Sequence, residues 1–99
     1  MIRFVRMAGI APGKTGSALV FARKIADYLA KHHKIKLEVM MPVGGNPNRV
    51  AWRAEYASLA ALEENQNKFM VDPKYMELVA SGAENFIAGS IMDSIWRTV

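Results

Sequence analysis

Two stretches of this chain alternate at a period of two yet carry apolar side chains on both sides, and a strand built that way needs cover on both faces. Ile2 to Ala8 sets Ile2, Phe4 and Ala8 on one face and Val5 and Met7 on the other. The stretch from about Ile87 to Val99 sets Ile91, Ile95 and Val99 against Met92 and Trp96. With 99 residues the chain has room for one domain over 1–99 and few elements to supply two layers of cover. Part of the cover is therefore expected from a second copy of the same chain, because a bare apolar sheet face is a large exposed patch.

The other segments complete a regular order. Pro12, Gly13 and Gly16 break the chain after the first strand, and Thr15 or Ser17 can cap a helix whose apolar positions are Ala18, Phe21, Ala22, Ile25, Tyr28 and Leu29. That helix is expected to end near His33. Lys36 to Met41 predicts a second strand, Pro42 to Asn48 a hairpin loop, and Arg49 to Ala57 a third strand with Val50, Trp52, Ala54 and Tyr56 on one side and Arg53 and Glu55 on the other. Ser58 is placed to cap a helix carrying Leu59, Leu62 and Phe69. Asp72-Pro73 starts another that Gly82 is placed to end. Strand, helix, strand, strand, helix pair, strand is the β-α-β-β-α-β order of a ferredoxin-like α+β domain, an antiparallel sheet with helices on one face only. Its open face, apolar here, predicts a homodimer.

Composition narrows the chemistry. Hydrophobic residues make up 52%, and counting the glycines in place of the tyrosines lifts the share further above the roughly 45–50% of soluble domains, as a buried partner surface would. With 0 Cys the chain excludes disulfide scaffolds, thiolate metal sites and cysteine nucleophiles. No apolar run approaches the ~18–20 residues of a membrane span, so no membrane partner is expected. The start, Met1-Ile2-Arg3-Phe4-Val5-Arg6, alternates instead of building a signal-peptide core, which points to the cytoplasm. The net charge of +4 is concentrated in Arg23, Lys24, Lys31, Lys34 and Lys36 against Asp27. Lys31 to Lys34 suit the negative end of a helix dipole, and Tyr28 is the only aromatic among them, so nucleic acid is not an expected partner.

Ala8-Gly9-Ile10-Ala11-Pro12-Gly13-Lys14-Thr15 mimics a phosphate-binding loop, but Pro12 offers no N–H, Ala8 replaces the first glycine, and the second strand has no Asp for magnesium. Lys14 is accordingly a loop charge. His32 and His33 point about 100° apart on a helix and have no carboxylate one turn away, so no metal is expected. Arg53 with Glu55, and Asp93 with Arg97, share strand faces and are read as ion pairs at the dimer interface rather than as an acid–base pair.

The segments Arg49-Val50-Ala51-Trp52-Arg53-Ala54-Glu55-Tyr56-Ala57-Ser58-Leu59, Asp72-Pro73-Lys74-Tyr75 and Asp93-Ser94-Ile95-Trp96-Arg97 together resemble the dimeric α/β-barrel superfamily, especially its NIPSNAP-like members. The resemblance spans nearly the whole chain and rests on structural motifs. It implies the dimeric ferredoxin-like fold. The superfamily includes cofactor-free antibiotic-biosynthesis-type monooxygenases, haem-degrading enzymes, muconolactone isomerases and stress proteins, so it leaves the reaction open. In its monooxygenases the space between sheet and helices holds an aromatic substrate. The corresponding pocket here would be lined by Trp52, Tyr56, Trp96, Phe21, Tyr28 and Arg6 (or Arg3), with Arg6 set against a developing anion and no tightly bound cofactor. The resemblance thus implies a pocket for a small aromatic or apolar molecule, in a cofactor-independent monooxygenase or isomerase. The alternative is a non-enzymatic dimerisation or stress-response module whose aromatics fill the core.

Overall fold

The central strand β1 (Ile2–Gly9) is hydrogen-bonded on both sides. In this computed structural model, which describes residues 1–99, it is followed by α1 (Thr15–His33), β2 (Glu38–Met40), β3 (Arg49–Tyr56), α2 (Leu59–Met70), α3 (Pro73–Ser81), a short 3-10 turn (Ala83–Asn85) and β4 (Met92–Arg97). The sheet order is β2-β3-β1-β4 and every neighbouring pair is antiparallel. This is the expected ferredoxin-like α+β arrangement, with the helices on one face. No helix is long and apolar enough to cross a membrane.

Register assigns each side chain its layer. Ile2, Phe4, Arg6 and Ala8 of β1 stand opposite Tyr56, Ala54, Trp52 and Val50 of β3 on the helix-covered face. The core there is in two parts: Ala8, Ile10, Ala18, Ala22, Val50 and Trp52 form one cluster, and Ile2, Ala54, Tyr56 and Leu62 the other. The opposite face carries Val5, Met7, Met40, Ala51, Met92 and Trp96 beside a charged row in which Glu55 accepts from Arg3 at 3.1 Å and Arg53 pairs with both Glu38 and Glu55. Arg53 and Glu55 are thus ion-paired, as expected, and Arg3 lies with them, away from any space under the helices.

The helix starts at Ser58 and Asp72 are capped as read, Ser58 Oγ accepting from Ala61 N–H and Asp72 Oδ1 from Tyr75 N–H, each at 3.1 Å, with Pro73 at the first helical turn. Gly82 ends α3, and its reason is space: a Cβ there would lie 2.2 Å from the Phe21 ring. Three expectations are corrected. α1 begins after Lys14 with no side-chain cap, because Ser17 Oγ donates instead to Asn85 Oδ1 at 2.6 Å, with Lys14 C=O the more distant acceptor at 3.2 Å. β2 is only Glu38–Met40, not Lys36–Met41. β4 begins at Met92 rather than Ile87, since residues 87–90 turn back onto β1: Ile87 N–H bonds Gly9 C=O, Ser90 N–H bonds Ile87 C=O, and Gly89 takes φ +76. β4 is also bare on both faces in one copy, with Met92, Ile95 and Trp96 all exposed, as is Ile91 just before it. Finally, both neighbours of β1 run antiparallel to it, unlike the parallel sheet of phosphate-binding-loop enzymes.

Candidate functional site

Small residues on the covered face leave a hollow. Ala8 of β1 and Ala54 of β3 line, on the helix-covered face, a cavity of about 300 Å³. It touches both halves of the core. Its walls come from α1 (Phe21, Ile25, Leu29), the sheet (Phe4, Trp52, Tyr56), α2 and α3 (Gln66, Phe69, Tyr75) and the turn before β4 (Phe86, Ile87, Ile91). Exposed Val79, Ile87 and Ile91 form an apolar rim beside the uncovered strand β4. The volume is at the lower end of small-ligand pockets, roughly 300–1,000 Å³.

Of the six pocket residues proposed from sequence, Arg6, Phe21, Trp52 and Tyr56 line this cavity and two do not. Trp96 alternates onto the opposite sheet face, beside Arg3 in register, and is 64% exposed. Tyr28 is half-buried but not on the cavity wall, and its hydroxyl donates to Asp72 Oδ2 at 2.7 Å. Trp52 is present but engaged: its Nε1–H donates to Ala22 C=O at 3.3 Å, so the indole serves as wall. Phe21 packs against Phe86 at 5.6 Å between ring centres.

Arg6 does not stand free. Its Nε donates to Asp93 Oδ1 at 2.7 Å and its Nη2 to Asp93 Oδ2 at 2.8 Å, a two-point pair across the β1–β4 ladder. The Asp93 hydrogen bonds raise the guanidinium's pKa despite burial. Asp93 therefore pairs with Arg6 on the helix-facing side, not with Arg97 at the open face. The groups sequence reasoning missed are Tyr75 and Gln66. Burial raises the pKa of the Tyr56 phenol, Tyr75 adding to it, and burial likewise raises that of Tyr75 against the opposing Arg6 charge. Both phenols thus stay protonated and available as donors at neutral pH. Nothing in α3 signalled Tyr75, because only the docking of that helix over the sheet brings it to Arg6.

A second polar cluster lies outside the cavity. Asp72 Oδ2 accepts from Tyr28 and meets His33 Nε2 at 2.7 Å. The His33 bond, then the Tyr28 bond, hold the Asp72 carboxyl down from 3.8 to about 2. His33 also meets Phe69 edge-on at 5.1 Å. The sequence placed His33 at a helix terminus, where it is, and could not show a partner that is 39 residues away along the chain.

A four-stranded antiparallel sheet, helices on one face and a hollow between them define a ferredoxin-like protein with an interlayer cavity. The chain superposes on an uncharacterised NIPSNAP domain protein of Burkholderia xenovorans with a TM-score of 0.84 at 13% identity, covering 100% of this chain and 95% of that one. A NIPSNAP family protein of Agrobacterium tumefaciens gives 0.78 at 19% identity over 99% of this chain and 85% of that one. An antibiotic biosynthesis monooxygenase gives 0.72 at 13% identity over 100% and 99%. No protein-family model and no curated protein matches the chain. Superpositions at identities this low establish a shared fold alone, and activity has to be argued from the site.

Proposed function

We propose that this protein binds a small apolar or aromatic molecule in the cavity between sheet and helices, and that two copies assemble through their open sheet faces. The observation that carries the reading is the cavity itself. About 300 Å³ of apolar space is left in a core this small, with Arg6, Tyr56, Tyr75 and Gln66 as its few polar groups. An unfilled hollow weakens a core by the dispersion contacts it forgoes, so a bound molecule would return stability as well as perform the function. The dimer is supported by Met7, Met40, Met92 and Trp96 standing on the uncovered face. In a cofactor-independent monooxygenase or isomerase, the two phenols would donate to an oxygen on which charge develops. The alternative, a dimerisation or stress-response module without turnover, is favoured by one observation: Arg6 and Trp52 already bond within the chain.

Native mass spectrometry of the purified protein against its denatured mass tests the reading. A dimer carrying an additional small mass that disappears on denaturation is the expected result. A monomer would remove the dimer. A dimer that takes up no apolar probe such as N-phenyl-1-naphthylamine, at concentrations near its solubility limit, would remove the cavity as a binding site.

A further inference from the structure

Resting on the cavity reading, a second question is what charge its occupant carries. Arg6 is the only charged side chain lining the cavity. Asp93, its register partner on β4, occupies the Nε–Nη2 edge of the guanidinium with both carboxylate oxygens. That closes the side-on edge to a ligand carboxylate, sulfonate or phosphate and leaves only the Nη1–Nη2 end for two-point binding. An anion reaching for the remaining N–H groups would meet a guanidinium already neutralised, with a negative charge within a few ångströms. A neutral carbonyl, hydroxyl or ether oxygen suffers no such repulsion. It can accept from a remaining Arg6 N–H or from the Tyr56 and Tyr75 hydroxyls of the cavity wall. The rest of the wall and the rim of Val79, Ile87 and Ile91 suit an apolar body.

We propose that the cavity selects uncharged apolar molecules bearing a hydrogen-bond-accepting oxygen and discriminates against organic anions, and that Asp93 is the residue that sets this preference by holding and neutralising Arg6. Asp93 acts through Arg6 and is a positioning residue.

The test uses two fluorescent probes that share a ring system, neutral N-phenyl-1-naphthylamine and anionic 8-anilinonaphthalene-1-sulfonate, each excited directly at wavelengths where tryptophan does not absorb. Ala88 lines the cavity beside Ile87 and is exposed, so only the signal lost in Ala88→Trp, which crowds that rim, is assigned to the cavity. In Asp93→Asn the freed guanidinium should strengthen sulfonate-probe binding by about tenfold or more, while the neutral probe changes by less than about threefold. In the unaltered protein, sulfonate-probe affinity should be nearly insensitive to salt between about 0.05 and 0.5 M, since a neutralised arginine offers little attraction to screen. An unchanged probe ratio in a folded Asp93→Asn, or a steep salt dependence in the unaltered protein, would overturn the selectivity and leave the cavity reading standing. Neutral-probe binding that is indifferent to Ala88→Trp would instead overturn the cavity reading. The salt series needs no variant, so it decides the selectivity even if Asp93→Asn does not fold.

Discussion

One carboxylate, Asp72, ties two helices together. Its Oδ1 caps α3 through Tyr75 N–H, and its Oδ2 receives Tyr28 and His33 from α1. Because its folded-state pKa lies near 2 against an ordinary 3.8, the folded protein takes up the proton less readily than the unfolded chain. The stability it contributes is present above about pH 4 and is lost as the pH falls through its folded-state value. Asp72→Asn keeps a capping oxygen and removes the charge, so thermal melts from about pH 7 down to pH 2 should show the variant's deficit shrinking with acid. A deficit that stays constant over that range would mean the carboxylate is not what ties α3 to α1. The triad was invisible in the sequence because no local spacing connects Tyr28 and His33 to residue 72.

At the scale of elements, local chemistry was mostly legible. Ser58 and Asp72-Pro73 announce their helices because capping depends on atoms two or three residues away. The α1 start escaped that logic, since Ser17 is drawn to Asn85, a residue far along the chain. The α1 end is closed by Lys34 in the left-handed conformation at φ 57, its N–H reaching Leu29 C=O. A lysine there carries a steric cost that glycine avoids. Lys34→Gly should raise stability by about 0.5–1 kcal/mol, slightly offset by the loss of a cation at the negative helix end. Chemical denaturation reads this directly, and a loss of stability would show that the lysine side chain makes a contribution beyond the cap. The strand read from Ile87 is longer than β4 because Ile87 and Ile91 share the parity of Ile95, while the backbone there spends its hydrogen bonds on a turn against β1.

For the whole molecule, only 14 of 99 residues are buried, a consequence of one bare sheet face, an uncovered edge strand and a hollow core. In an isolated copy Trp96 is 64% exposed, and replacing an exposed side chain usually changes stability by no more than about 0.5 kcal/mol. In the proposed dimer the same side chain is interfacial. Trp96→Arg should therefore convert a dimer into a monomer in sedimentation velocity and remove the concentration dependence of the melting temperature, while sparing the cavity on the other face. A dimer that survives Trp96→Arg with unchanged affinity would place the interface elsewhere.

The amino-acid sequence determined the order of the elements, their faces and the ferredoxin-like layout, because period-two alternation and helix caps act over a few residues. The family resemblance also named Arg6, Phe21, Trp52 and Tyr56 for one space, and the structure puts all four on its wall. Only the tertiary structure decided that the space is hollow, because a cavity is the difference between volumes contributed by strands and helices far apart in the chain. It alone placed Tyr75 and Gln66 in that space and Trp96 outside it. It alone showed that Arg6 is matched by Asp93, a pairing across 87 residues that depends on which strand lies beside β1 and in what register.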